Sequence, residues 1–229
     1  MNRSKLSGML AAGGMLLASG SASAVTLCGT LTTLSQWSTA GSCTDEDLDM
    51  QYTFGSAGGS LAGITGSTGL SISEVQTTQG DYYTVHLTWA GGYVPNGTAG
   101  TLNYTVASLD PTQPLSSAAI DSTVSGTGGG PSTTYTSALT ANATNFLNMT
   151  SLNGNPDPLG GSEYAFGGLG AISVANTYNS TGGATFNSAI NQFNVVPEPE
   201  SLFLLIPGLA GIALRKRTRF WANGQAFAA

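Results

Sequence analysis

Across residues 82–89 apolar and polar side chains alternate. Tyr83, Val85, Leu87 and Trp89 take one set of positions; Tyr82, Thr84, His86 and Thr88 take the other. Successive side chains of an extended chain point to opposite faces, so the segment reads as a half-buried strand. Residues 101–108 repeat the pattern, with Leu102, Tyr104 and Val106 facing inward. Between them lie Gly91-Gly92, Pro95 and Asn96-Gly97, all turn chemistry, so the two strands are expected to form a hairpin with a long loop. Residues 70–76, 117–124, 133–139, 171–178 and 184–193 are further strand candidates. Residues 126–131 and 153–161 read as loops from their Gly, Pro and Asn content. No long helical stripe appears in 25–195. Several short strands at this spacing predict an all-β domain, an antiparallel β-sandwich with a jelly roll among the arrangements open.

Composition leaves that picture standing. A disordered Ser/Thr-rich stalk is the competing view. Disorder favours low hydrophobicity and high charge. This chain has only 8% charged residues and a mean hydropathy of +0.09. The inward aromatics Tyr83, Trp89, Tyr104 and Tyr135 also favour a packed core.

Charge changes the picture more. All six Lys and Arg residues lie at the ends: Arg3 and Lys5 at the start, Arg215, Lys216, Arg217 and Arg219 near the finish. Ten of the twelve acidic residues lie between Asp45 and Glu163, and the others are Glu198 and Glu200. The net charge of -6 therefore understates the anionic character of the body. A body without cations has nothing to replace the counterions of a phosphate backbone, which excludes nucleic-acid binding. Neutral glycans, or acidic glycans bridged by divalent cations, remain open as partners.

Arg3 and Lys5, the apolar stretch 6–17 and Ala22-Ser23-Ala24 have the three parts of a secretory signal: basic end, apolar core and A-x-A cleavage site. Residues 1–24 are expected to be removed by signal peptidase after delivery to the secretion machinery. Cys28 and Cys43 are the only cysteines. In an oxidising compartment they are expected to pair.

At the other end, Val196-Pro197-Glu198-Pro199-Glu200 precedes an apolar run, 201–214, and then Arg215-Lys216-Arg217. The prolines keep the turn extended, the apolar run can enter a bilayer, and the basic cluster stays on the cytoplasmic side. As a helix, residues 202–214 span only about 20 Å against roughly 30 Å of hydrocarbon. This three-part pattern over 196–217 resembles the PEP-CTERM sorting signal of Gram-negative surface proteins. Cys43, Thr44, Asp47 and Phe54 resemble an element near the front of many such proteins. The resemblance implies an exosortase as partner, transient inner-membrane anchoring, cutting near Pro197-Glu198-Pro199, and release to the cell surface or extracellular matrix of bacteria that make exopolysaccharide. The tail 218–229 extends beyond the family pattern.

The remaining motifs carry little chemistry. Asp45, Asp47 and Asp49 match the start of a calcium loop, but Met50 stands where glycine is needed and Ser56 where a bidentate glutamate is needed. An acidic turn leading into a strand at 51–54 is the favoured reading. His86 has no second histidine or reactive cysteine to work with, and an ordinary solvent-facing or edge position is expected. There is no Gly-x-Ser-x-Gly elbow, and 126–130 is followed by no Gly-Lys-Ser/Thr. Asp81, Asp110, Asp121, Asp157 and Glu163 are candidates for a glycosidase pair, with no spacing that selects two. Trp37, Tyr93 and Tyr178 are candidates for sugar stacking or for packing. Asn96, Asn103, Asn142, Asn148 and Asn179 each begin an N-x-Ser/Thr sequon, which a Ser/Thr-rich composition produces by chance. The expected function is a non-catalytic surface or matrix protein, without metal or cofactor. A carbohydrate-binding module and a glycoside hydrolase are the alternatives.

Overall fold

The computed structural model describes residues 25–47, 49–77, 80–95, 98–126, 130–157 and 163–195. The proposed leader, the sorting signal at Val196, Pro197, Glu198, Pro199, Arg215, Lys216 and Arg217, and the tail 218–229 lie outside the described residues. Among the described residues no helix is long and apolar enough to cross a membrane.

The chain is an antiparallel β-sandwich. Its strands are β1 (Ser42–Thr44), β2 (Met50–Gly59), β3 (Thr68–Thr77), β4 (Gly80–Tyr93), β5 (Gly100–Ser108), β6 (Leu115–Ser125), β7 (Ser132–Ala141), β8 (Thr144–Leu152), β9 (Asn155–Asp157), β10 (Tyr164–Leu169), β11 (Ala171–Thr181) and β12 (Thr185–Val195). One sheet has seven strands in the order β1-β2-β5-β11-β7-β8-β9, the other five in the order β10-β6-β12-β4-β3. The inward sets read from alternation hold: Tyr83, Val85, Leu87 and Trp89 are buried in β4, and Leu102, Tyr104 and Val106 in β5.

Their pairing differs from the expected hairpin. β4 belongs to the five-stranded sheet and β5 to the seven-stranded one. A period of two fixes which face a residue takes and says nothing about the strand it meets. Gly91 and Gly92 do not form a loop either. They lie inside β4 at φ 91° and 83°, a backbone region open to glycine. Four residues of β4 separate Thr88 from Tyr93 where a single residue of β12 separates Ser188 from Phe186. This bulge bends the strand end.

A short helix, α1 (Leu34–Ala40), precedes β1. A capping box starts it: Thr33 Oγ1 accepts the Gln36 N–H, and Gln36 Oε1 accepts the Thr33 N–H. Gly41, at φ 75°, ends it. Trp37 of α1 is fully buried against Phe54 and Tyr104, with ring centroids 5.6 and 5.4 Å away. Thr33 bridges to Gly69 of β3, and Thr44 pairs with Leu27. The N-terminal segment thus runs between the β3 edge of one sheet and the β1–β2 edge of the other. The Cys28–Cys43 disulfide is present, with Cα atoms 5.0 Å apart.

The centre of the core is aromatic and polar at once. Tyr135 stacks on Tyr178 at 5.0 Å, and Trp89 and Phe186 meet Tyr178 edge-on. Beside them, Asn191 of β12 accepts from the Tyr135 hydroxyl (2.6 Å) and the Asn176 amide (2.6 Å), and donates to Ser137 Oγ (3.0 Å). Asn191 comes from the five-stranded sheet and its three partners from the seven-stranded one. Replacing Asn191 by Ala strands two buried donors and a hydroxyl. The expected loss is about 3 kcal/mol, read as a lower denaturant midpoint with unchanged slope.

Candidate functional site

Strand alternation leaves two outer faces, and they differ in chemistry. On the seven-stranded sheet, register aligns Thr53, Thr105, Ser173 and Thr140 in one row. The next row is Ser56, Asn103, Ala175, Ala138 and Asn148; a third is Thr101, Thr177, Thr136 and Thr150. No charged residue occurs in these rows. Asn103 Nδ2 donates to Ser56 Oγ at 2.9 Å, and Thr105 and Ser173 hydroxyls lie 3.5 Å apart. A shallow depression of about 210 Å³ opens between Gly55, Asn103, Thr105 and Ser173. Gly55 is required there, since a Cβ would sit 2.8 Å from the Asn103 carbonyl oxygen. The face offers hydroxyls and amides as donors and acceptors and presents no charge to desolvate.

The outer face of the five-stranded sheet holds His86. It is not at an edge: β4 lies between β12 and β3, and His86 stands between Ser71 and Ile190. It is half-buried, its Nε2 has no partner, and burial lowers its pKa, so it is neutral at pH 7. No acid occupies either neighbouring register position.

The candidate carboxylates are structural where described. Glu163 accepts from Ser117 Oγ and Asn194 Nδ2, and from Gln192 Nε2 at 3.3 Å. It thereby fixes the start of β10 to β6 and β12. Asp110 accepts from the Thr112 N–H (2.8 Å) and hydroxyl (2.7 Å), bonds that lower its pKa. Asp121 accepts from the Ser122 N–H at 2.7 Å and lies four residues along β6 from Ser117, roughly 13 Å. The side chains of Asp81 and Asp157 lie outside the described residues. The proposed stacking aromatics are corrected. Trp37, Tyr93 and Tyr178 are 0%, 4% and 1% exposed, so they are core residues and offer no platform.

The acidic turn is indeed a turn between β1 and β2. Asp45 is buried and Asp47 exposed. Asp45 Oδ1 accepts from the N–H of Asp49 and of Met50, at 3.0 and 3.2 Å, so it closes the turn as a side-chain cap. Burial, followed by the adjoining Asp49 carboxyl, pushes the Asp45 acid up to about 7, against the pull of those N–H bonds. Among the described residues no group of three or more His, Cys, Asp or Glu is placed to hold a metal ion.

One apolar surface escaped the sequence reading. Phe146 of β8 and Phe166 of β10 meet edge-on at 5.2 Å beside a groove of about 350 Å³ floored by Gly167 and Gly168. Phe146 is 37% exposed. Neither phenylalanine stands in a clean alternating run, which is the signal that located the other strands.

No protein-family model matches the chain, and no curated protein matches it in sequence.

E163Q places an amide donor among three donors. Hydrogen exchange in 164–169 should accelerate, reflecting a local loss of about 1–3 kcal/mol, while exchange in β11 stays unchanged.

Proposed function

We propose that this chain is an exported, non-catalytic surface or matrix protein, sorted by an exosortase and associated with exopolysaccharide through hydrogen bonding to neutral glycan. The observation that carries the glycan part is the charge-free hydroxyl and amide face of the seven-stranded sheet. A polyhydroxyl surface can exchange its water-mediated bonds for bonds to such a face without desolvating an ion. The sorting part rests on the sequence signals. Residues 1–24 act as the leader and 25–195 as the domain. The run 201–214 anchors the chain in the inner membrane as a short helix, with Arg215, Lys216 and Arg217 inside. β12 ends at Val195, so a cut near Pro197-Glu198-Pro199 falls just beyond the sheet and leaves every strand intact.

One feature favours a second reading, a dedicated carbohydrate-binding module. The exposed edge of Phe146 beside Phe166 could stack a sugar ring.

Two measurements test the proposal. Intact mass of the surface-released protein should correspond to a chain without 1–24 and without 215–229; a product that retains Arg215 to Ala229 removes the cutting step. In the host, T105E and T177E together should release the protein from the matrix at unchanged stability, with retention falling at least severalfold. Full retention in that variant and loss in F146A would move the contact to the phenylalanine groove.

A further inference from the structure

Asp45 and Asp49 each have one satisfied oxygen and one that is not. Asp45 Oδ1 takes the two backbone N–H bonds of its turn. Asp49 Oδ2 accepts the Tyr83 hydroxyl at 3.0 Å. The other two oxygens, Asp45 Oδ2 and Asp49 Oδ1, are enclosed and have no donor. Tyr52 of β2 is fully buried, its hydroxyl also lacks a partner, and it lies in electrostatic contact with both carboxyls. Asp45 itself is only 6% exposed.

The groups facing this pair are all acidic or neutral. They are Tyr52 from β2, Tyr83 from β4, Glu74 from β3, and Glu46 and Asp47 from the turn, which line the adjoining cleft with Asp45. No Lys or Arg exists anywhere in 25–195 to neutralise them. With Asp45 buried, Asp49 half-buried beside it and no cation at hand, the two carboxylates cannot both hold their charge at low cost. A single proton between Asp45 Oδ2 and Asp49 Oδ1 gives each oxygen the partner it lacks.

We propose that Asp45 and Asp49 share one proton, and that this proton clamps the disulfide-closed N-terminal segment onto the sandwich. The turn is a junction. Asp45 follows β1, where the Thr44 N–H bonds Thr26 O at 2.9 Å next to Cys43. Asp49 reaches the five-stranded sheet through Tyr83, and its carbonyl accepts the Leu109 N–H at 2.6 Å from the β5–β6 connection. Loss of the proton places two like charges where these three parts meet. The clamp is independent of the glycan reading.

The direction of the pH dependence follows from linkage. The unfolded chain releases the proton near the ordinary aspartate value, about 3.9. The folded chain keeps it to about 7. Between those values the native state binds the extra proton, so stability is full below the window and falls as pH rises across it. Above about 7 both states are ionised there and the contribution is level.

Unfolding midpoints of the full chain at pH 4, 5.5, 7 and 8.5 test the clamp in wild type, D45N and D49N. Either amide keeps the shape and permanently supplies the N–H that stands in for the shared proton. Relative to wild type, each variant should gain stability between pH 4 and 7. The unfolding equilibrium constants should diverge by up to roughly tenfold per pH unit, and the difference should be constant above pH 7. The Asp45 carboxyl ¹³C resonance should titrate near pH 7 in wild type. Variants that follow the wild-type pH dependence, or that are less stable than wild type at pH 8.5, overturn the proposal. So does millimolar calcium that stabilises wild type but not D45N at pH 8.5, because the pair would then hold a cation. If one variant fails to fold, the other together with the resonance titration still decides.

Discussion

Two sheets packed face to face would be free to slide if their contact were only greasy. Here Asn191 crosses the gap and takes bonds from Tyr135 and Asn176 while giving one to Ser137. Each of these groups is buried, so a shift of one residue in any of three strands leaves donors with no water to turn to. The stacked pair Tyr135 and Tyr178 needs the same register. Together with the buried Ser122–Ser151 hydroxyl pair, this polar contact sets the relative placement of the sheets, and the outer faces inherit their rows from that placement. The threonine and asparagine rows of the seven-stranded sheet line up because β7 and β11 are held in step from within.

Charge is the second constraint. A domain with ten acidic side chains and no Lys or Arg has no salt bridges with which to neutralise them. The described carboxylates meet this in different ways. Asp110, half-buried, and Asp121, exposed, accept local N–H bonds. Glu163 gathers three neutral donors. Asp45 and Asp49 go inward, where hydrogen bonding has to do what ion pairing does elsewhere. The uncharged rows stand apart from all of these groups and are left with neutral hydrogen bonding alone.

The class of fold was legible because alternation in β4 and β5 is clean and because turn residues bracket the strands. Partnering was not legible. The inward set of β5 would look the same in either sheet, and only the bulge at Gly91-Gly92 reveals that β4 bends away. β8 was hidden because its hairpin closes through Asn142-Ala143, both at positive φ, without the glycine that usually marks such a turn. Helix α1 is seven residues long, too short for an apolar stripe, although Thr33 and Gln36 carry a readable cap. The acidic turn was legible as a turn. That two of its aspartates meet beneath Tyr83 was not, because that tyrosine belongs to β4, a strand distant in sequence.

The strand that carries Asn191 is also the last among the described residues. β12 lies between β4 and β6 and pairs with both, so neither neighbour has its full ladder until residues 185–195 arrive. Local hairpins such as β3–β4 and β7–β8 can form early, but the five-stranded sheet closes only through β12, whose partners lie about 60 to 80 residues away in β6 and about a hundred away in β4. A chain threaded N-terminus first through a narrow channel would thus remain without its central strand until almost the whole domain had passed. In such a passage, late closure would leave the sheet unfinished until the segment that follows Val195 arrived.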